Sequence, residues 1–528
     1  MRSRLGGTAL LLVQAMLRDR WLLAGWGLVL VAVTYASAAA TPTLYPRAAD
    51  RVAAAQAIDA SPAVVALYGP ILDVHSEGEL AMTKLTVLYA VFVALLVLVV
   101  VRRHTRSEEE NGCAELAGGT AVGRGAPLAA ALALGATTAT VLGLLAAAAD
   151  VAGSLPVAGS LAFGASWTGI GLVAAGLTAL ACQLSASTRT CGAVASSAIG
   201  LLFLVRAVGD VSVHWLSWLS PWGWSTRLRA WSDPRWWVLL LYAGSALVLT
   251  ALAVALRARR DLGAGLVAPR PGPARGASRQ RSALALALRL HRTALGGWTA
   301  GALVGGVLLG SVVPGIGSFL GGSAGRAMVV RLGGRGALED SLVAAELSIA
   351  AVVVTCFAVT VMTRAANDER SGRTEAVLAT STSRLRVLGA TAAVALAGAS
   401  WLLLVTGSAM AVGIVLAGRS PHVLGRVLSA TVVQLPAVWL VAALAVAAYS
   451  LRPTWAPAGW VLLVGFVTLG QLGELLDLPS WVVGVSPYVH VPRLPTEALD
   501  PAPLAVLTVA AVAVGAAACL RFSVRDVG

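Results

Sequence analysis

The sequence predicts an all-α polytopic membrane protein, with about 12 transmembrane helices arranged as two tandem six-helix repeats. Three observations carry this prediction. Of 528 residues, 58% are hydrophobic and only 12% charged, with a mean hydropathy of +0.81, whereas soluble domains carry about a quarter charged residues. Apolar runs such as 83–101, 236–256 and 341–362 approach or exceed the ~20 residues needed to cross a bilayer. An acidic segment, followed by further landmarks, occurs twice at nearly constant spacing.

Residues 1–20 mix Leu5, Leu10, Leu11, Val13, Met16 and Leu17 with Arg2, Arg4, Arg18 and Arg20, a pattern suited to an interfacial elbow helix. The small residues Ala36–Ala40 resemble a signal-peptide cleavage site. The twenty residues ahead of the apolar core make too long a leader, so 21–40 reads as an uncleaved first span. The remaining first-half spans are expected at 82–101, 127–149, 159–183, 191–209 and 236–256. A second elbow is expected at 281–293, where leucines at 284, 286, 288 and 290 sit beside Arg281, Arg289 and Arg292. Second-half spans follow at 295–313, 341–363, 387–412, 427–450, 458–476 and 502–520. This divides the chain into a first transmembrane half (1–257), an Arg/Pro/Gly-rich linker (258–280) and a second half (281–528).

Charge sets the orientation. The formal net charge is +14, and the only lysine is Lys84. With both termini inside, more than twice as many arginines fall on the cytoplasmic side as outside, which is the expected bias. The linker has no apolar period and reads as a flexible cytoplasmic connector. The arginines do not form stripes interleaved with aromatics, so no nucleic-acid surface is indicated. The five cysteines fall in spans or on the cytoplasmic side and define no disulfide framework. The six histidines lack metal-ligand spacing.

EEENGCAELAGGTAVGR (108–124) aligns with DERSGRTEAVLATSTSR (368–384) at an offset of 260. Glu109 pairs with Glu369, Gly112 with Gly372, Glu115 with Glu375, Thr120 with Thr380 and Arg124 with Arg384. Ser220-Pro221-Trp222 then matches Ser486-Pro487-Tyr488 at an offset of 266, and Asp233-Pro234 matches Asp500-Pro501 at 267. Equal span numbers make the repeats parallel. If helical, 108, 112 and 115 share one face, as do 368, 372 and 375. Two copies in register favour a docking surface over a solvated loop.

The run Arg370-Ser-Gly-Arg-Thr-Glu375-Ala-Val-Leu-Ala-Thr380-Ser-Thr-Ser-Arg384 resembles the R-E-x-G-T-x-E-x-L-L-x-T-P-x-S-R pattern of type-2 ABC exporter permeases. Here the acidic pair precedes the arginine, and Ser381 replaces the usual proline. The first copy is more degenerate, with Gly118-Gly119 in place of the apolar pair. The layout resembles the fused, double-length permeases of polyketide-antibiotic (tetronasin-type) export. The resemblance implies ATPase-coupling helices at Glu108, Glu109, Gly112 and Glu115, and at Asp368, Glu369, Gly372 and Glu375. It also implies elbow helices, and re-entrant hairpins at 211–235 and 478–500 that contain Pro221, Trp222, Pro487 and Tyr488. The implied partners are two copies of a cytoplasmic ABC ATPase that bind ATP and Mg. The implied cargo is an amphiphilic small molecule such as an antibiotic or drug, exported across a bacterial inner membrane.

A phosphate loop needs G-x-x-x-x-G-K-[ST]. The only lysine sits in Met82-Thr83-Lys84-Leu85 without the glycines, so this chain cannot carry that loop, and its own role is expected to be non-catalytic, without a bound cofactor. Ionisable groups within spans are costly and often functional. Glu346 is the leading candidate for the cargo pathway. Arg206 and Asp210, four apart, can pair across one turn, and Lys84, Gln434, Gln471 and Glu474 are weaker candidates. A proton-coupled transporter of the major facilitator type is the principal rival, because Asp368-Glu-Arg370-Ser-Gly372-Arg373 faintly resembles its D-R-x-G-R loop. A membrane-embedded enzyme would need clustered polar groups such as Asp73, His75 and Glu77, which also read as ordinary loop polarity.

Overall fold

A computed structural model describes residues 5–60, 62–268, 282–315, 335–472 and 479–526. Among these residues every regular element is helical. Twelve helices are long and apolar enough to cross a membrane. In the first half they are Thr8–Leu44, Glu77–Glu110, Ala126–Ala152, Val157–Leu184, Thr188–Val211 and Trp236–Arg257. In the second half they are Ala283–Val312, Glu339–Arg370, Arg384–Leu416, Val423–Leu451, Pro453–Gly470 and Pro501–Val524. They are called the first to twelfth spans below.

The amphipathic leader segments are continuous with the span that follows each of them. The first span is one 37-residue helix from Thr8, roughly 55 Å long at 1.5 Å per residue. The seventh begins at Ala283, where the Ser282 side chain accepts from the Ala285 N–H. Neither leader segment contains a proline, so the helical ladder runs on into the apolar stretch. The second span contains two π-helical turns, Leu85–Tyr89 and Arg103–Ser107.

Contacts divide the chain into two compact units, Met1–Gly272 and Pro273–Gly528. In the first unit the second and fourth spans are the most enclosed and the first and sixth the most exposed. Small residues permit this packing. A Cβ on Gly143 would lie 2.3 Å from the Gly164 carbonyl oxygen, so the third and fourth spans cross with their backbones nearly touching. In the second unit the tenth span is the most enclosed and the seventh the most exposed. Two clusters, around Phe357, Leu402 and Tyr449 and around Val343, Met410 and Val427, make up much of its core.

The linker departs from the expected free connector over its first residues. The Leu266 and Val267 N–H groups donate to the carbonyls of Gln183 (3.0 Å) and Leu184 (2.8 Å), which docks this stretch on the end of the fourth span. Residues 269–280, the rest of the expected linker, lie outside the described residues, as do Arg281 at the start of the expected second elbow, Glu474 and the side chain of Gln471.

Candidate functional site

The two acidic segments fold alike. The second span ends at Glu110, the chain turns at Asn111-Gly112, and a short helix runs Cys113–Gly118. In the second unit the eighth span ends at Arg370, turns at Ser371-Gly372, and a short helix runs Arg373–Leu378. Gly112 (φ 75°) and Gly372 (φ 72°) occupy the left-handed region, which costs other residues a Cβ clash. Their N–H groups donate to the carbonyls of Glu109 (3.2 Å) and Glu369 (2.9 Å). Thr120 and Thr380 close the two segments identically, each hydroxyl donating 2.6 Å to the carbonyl three residues earlier.

This geometry corrects the single-face reading of 108, 112, 115 and of 368, 372, 375. The glycine breaks the helix, so the first acids belong to the span end and the last to the short helix beyond it. Glu115 and Glu375 are exposed, and Leu116 beside Glu115 is 79% exposed. Glu109 and Glu369 point inward and are engaged within the chain.

Glu109 is held by two arginines. Arg260, just after the sixth span, spreads its guanidinium over both oxygens, Nη1 to Oε2 at 2.8 Å and Nη2 to Oε1 at 2.7 Å. Arg106 pairs with the same carboxylate and donates to the Ala264 carbonyl (2.7 Å), while Arg260 Nε donates to Gln183 Oε1 (2.8 Å). In the second unit Arg525, just after the twelfth span, places Nη2 2.6 Å from both oxygens of Glu369. Arg525 also donates to the Tyr449 carbonyl (3.0 Å) and lies over the Phe522 ring at 4.9 Å. Arg384 donates to the Arg525 carbonyl at 2.8 Å. In both units, then, the turn is tied to the end of the last span by a largely desolvated carboxylate–guanidinium pair. Arg260 and Arg525 were not singled out as sequence candidates, although their separation of 265 nearly continues the 266 and 267 offsets of the neighbouring landmarks.

Glu108 and Asp368 differ in their surroundings. Glu108 accepts from Arg18 (3.2 Å) and lies 3.2 Å from His104 Nδ1. Among the described residues Asp368 pairs with Arg373, which is 65% exposed. Asp19, another residue the sequence did not single out, is buried where the first span meets the second. Its Oδ2 lies 2.8 Å from His104 Nε2 and its Oδ1 2.9 Å from Arg103.

Arg206 and Asp210 pair as their spacing predicts, at 3.1 Å, both side chains fully buried. Arg206 also donates to the Val65 (3.3 Å) and Ala66 (2.7 Å) carbonyls, and Asp210 accepts from Ser217 (2.6 Å). The pair therefore fastens the 62–68 helix and the 214–219 turn to the fifth span. Glu346 is buried, and its Oε2 has no hydrogen-bond partner among the described residues. In the first unit Asp150 is fully buried, with neither oxygen partnered among the described residues, a feature the sequence does not reveal because one acid near a span end looks like loop polarity. Gln434 bonds Ser348 at 3.4 Å, and Lys84 is exposed. Asp73 accepts from the His75 N–H (2.9 Å) in a turn ahead of the second span, where Ser76 caps the helix.

Ser220 and Ser486 are both fully buried. Pro221 begins a short helix to Arg227, and its carbonyl accepts from the Tyr242 hydroxyl (2.8 Å). Trp222 is buried beside it. Pro487 begins a tight turn to His490, and the Tyr488 hydroxyl bonds Thr355 at 2.9 Å. Residue 478, which starts the second expected hairpin, lies outside the described residues. Against the first of these helices an apolar groove of about 550 Å³ opens, lined by Val173, Leu177, Leu202, Trp224, Leu241 and Val248 among others.

The family described as "Multidrug efflux system permease Rv1217c, C-terminal domain" matches residues 281–523. The multidrug efflux system permease protein Rv1217c of Mycobacterium tuberculosis is 40% identical over 529 residues, covering 99% of this chain and 95% of its own. A helical chain with twelve candidate spans, duplicated turns and full-length similarity to a permease is a multi-pass membrane protein, and it belongs to the Rv1217c multidrug efflux permease family.

Proposed function

We propose that this chain is the membrane-spanning permease of an ATP-driven exporter of the type-2 ABC class, moving amphiphilic small molecules such as antibiotics or drugs out of a bacterial cytoplasm. Two copies of a separate ATPase, which bind the ATP and Mg, dock on the acidic turns, one at each. Both termini and both turns lie on the cytoplasmic side of the inner membrane. The chain's own role is non-catalytic.

The duplicated turn carries this reading. Each turn presents an exposed carboxylate, Glu115 or Glu375, on a short helix beyond a left-handed glycine. Each is joined through Glu109–Arg260 or Glu369–Arg525 to the last span of its own half. A displacement imposed on the short helix is thereby transmitted to two spans rather than lost in a loose loop. Within the first unit the apolar groove suits the tail of an amphiphile, and within the second unit the buried carboxylate of Glu346 suits a cationic group. The segments 211–235 and 478–500 act as re-entrant turns that close the pathway at the far side.

The test is to co-express the chain with candidate ATPase subunits and to measure co-purification and ATP-dependent transport in vesicles. Glu115→Arg/Glu375→Arg is compared with the unmodified chain after membrane insertion is checked. Loss of both association and transport in the variant supports the reading. Transport driven by a proton gradient with no ATPase bound refutes it in favour of a secondary transporter.

A further inference from the structure

His104 sits between two carboxylates on opposite sides of its ring. Nε2 lies 2.8 Å from Asp19 Oδ2 and Nδ1 lies 3.2 Å from Glu108 Oε1, and the side chain is only 6% exposed. A neutral imidazole carries one N–H and offers a lone pair at its other nitrogen, which a carboxylate cannot satisfy. Both contacts become hydrogen bonds only when the ring is the imidazolium. The π-helical turn at Arg103–Ser107 contains both His104 and Arg106; His104 meets the first span, and Arg106 reaches the Glu109 network.

From these contacts we infer that His104 is a positioning residue of the first docking turn: beside the exposed Arg18–Glu108 pair, it bridges buried Asp19 of the first span to Glu108 only while it carries a proton. This rests on the reading of residues 108–118 as a docking turn. Facing the ring are Asp19 and Arg18 of the first span, and Arg103 and Glu108 of its own helix, with Arg103 on Asp19 (2.9 Å) and Arg18 on Glu108 (3.2 Å). The third, fourth and fifth spans also pack against this stretch. Of the titratable groups on those spans, Cys182 of the fourth faces Thr105 and Cys191 of the fifth lies beside Arg106; the groups in direct contact with the ring are Asp19 and Glu108.

The second unit supplies a comparison within the same chain. At the 260 offset its counterpart of His104 is Arg364, whose Nη1 donates 2.8 Å to the Leu290 carbonyl of the seventh span. A guanidinium stays charged throughout the accessible pH range. The contact made from this position to the neighbouring helix is therefore proton-dependent in one half, where it adds to the Arg18–Glu108 and Arg103–Asp19 pairs, and permanent in the other. As pH rises through the titration of His104 the ring loses one of its two donors and the first turn loosens, while the second turn does not respond. Partner coupling at the two halves is then unequal at alkaline pH and more nearly equal at acidic pH.

The test is hydrogen exchange of the full-length protein in lipid nanodiscs, without any ATPase, from about pH 6 to about pH 9, a window spanning ordinary imidazole titration. Rates are corrected for the intrinsic pH dependence of exchange. Protection of residues 108–118 is expected to fall about ten-fold across the range, the worth of one hydrogen bond to a charged group, with residues 368–378 unchanged. His104→Arg is expected to abolish the response and keep the turn protected at high pH. A flat profile for residues 108–118, an equal fall in both turns, or an unaltered response in His104→Arg would overturn the inference. Because the unmodified protein alone gives the profile, a variant that does not fold leaves the test standing. ATPase association, measured separately, reports whether the docking reading itself holds.

Discussion

Arg525 places one guanidinium nitrogen 2.6 Å from both carboxylate oxygens of Glu369, 156 residues earlier in the chain, and both side chains are nearly sealed from solvent. The pair fastens the end of the eighth span to the end of the twelfth. Removing one partner of a buried pair leaves the other charge uncompensated, at roughly 3–5 kcal/mol. Arg525→Ala should therefore lower the unfolding midpoint in detergent far more than Arg373→Ala, whose exposed pair with Asp368 is worth at most about 1 kcal/mol. Equal midpoints for the two variants would show that the buried pair is not a tether.

The glycines of the two turns act through backbone conformation. A Cβ at Gly112 or Gly372 would meet no atom within 4 Å, so the cost of a side chain there comes from φ near +75° and +72°. Gly372→Ala is expected to destabilise the turn by roughly 1–2 kcal/mol, and Gly372→Asn by less, since asparagine tolerates the left-handed region better. Hydrogen exchange across 368–378 would separate the two variants. Identical exchange would remove the conformational argument.

Arg206 and Asp210 hold the segments at one end of the fifth span. Arg206→Met should expose residues 48–68 to proteolysis, because the Val65 and Ala66 carbonyls and Asp210 lose their donor together. Cargo preference among transported compounds should stay the same. A change in preference without increased cleavage would place the pair in the pathway instead.

Glu346 makes a different prediction. A buried carboxylate with an oxygen that has no partner among the described residues is costly in its charged form, so Glu346→Gln should fold at least as well as the unmodified chain. Transport of cationic amphiphiles should fall by about ten-fold, the worth of one charged hydrogen bond, and uncharged analogues should be unaffected. An equal loss for both classes would point to a packing defect.

Span number and duplication were legible in the sequence because both are local or linear properties. Twenty apolar residues in a row have few alternatives to a membrane helix, and an offset of 260 needs no coordinates to be seen. The Arg206–Asp210 pair was legible too, since four residues on a helix fix their own geometry. Separate elbow helices are what the sequence predicts and not what the structure shows, because amphipathic patterning marks a surface but does not mark where a helix bends.

What only the tertiary structure decided is the division of labour among the acids. In sequence Glu109 and Glu115 look alike, but one is locked to Arg260 and the other exposed. That distinction depends on which spans pack together and on a glycine turn that reverses the facing of neighbouring residues. The same holds for Asp19, His104 and Glu108, where two carboxylates 89 residues apart meet on one imidazole. Hydropathy by itself marks the twelve candidate spans found among the described residues; the partner of each buried charge was settled by long-range packing, where desolvation makes an unpaired charge expensive and a paired one a fixed point.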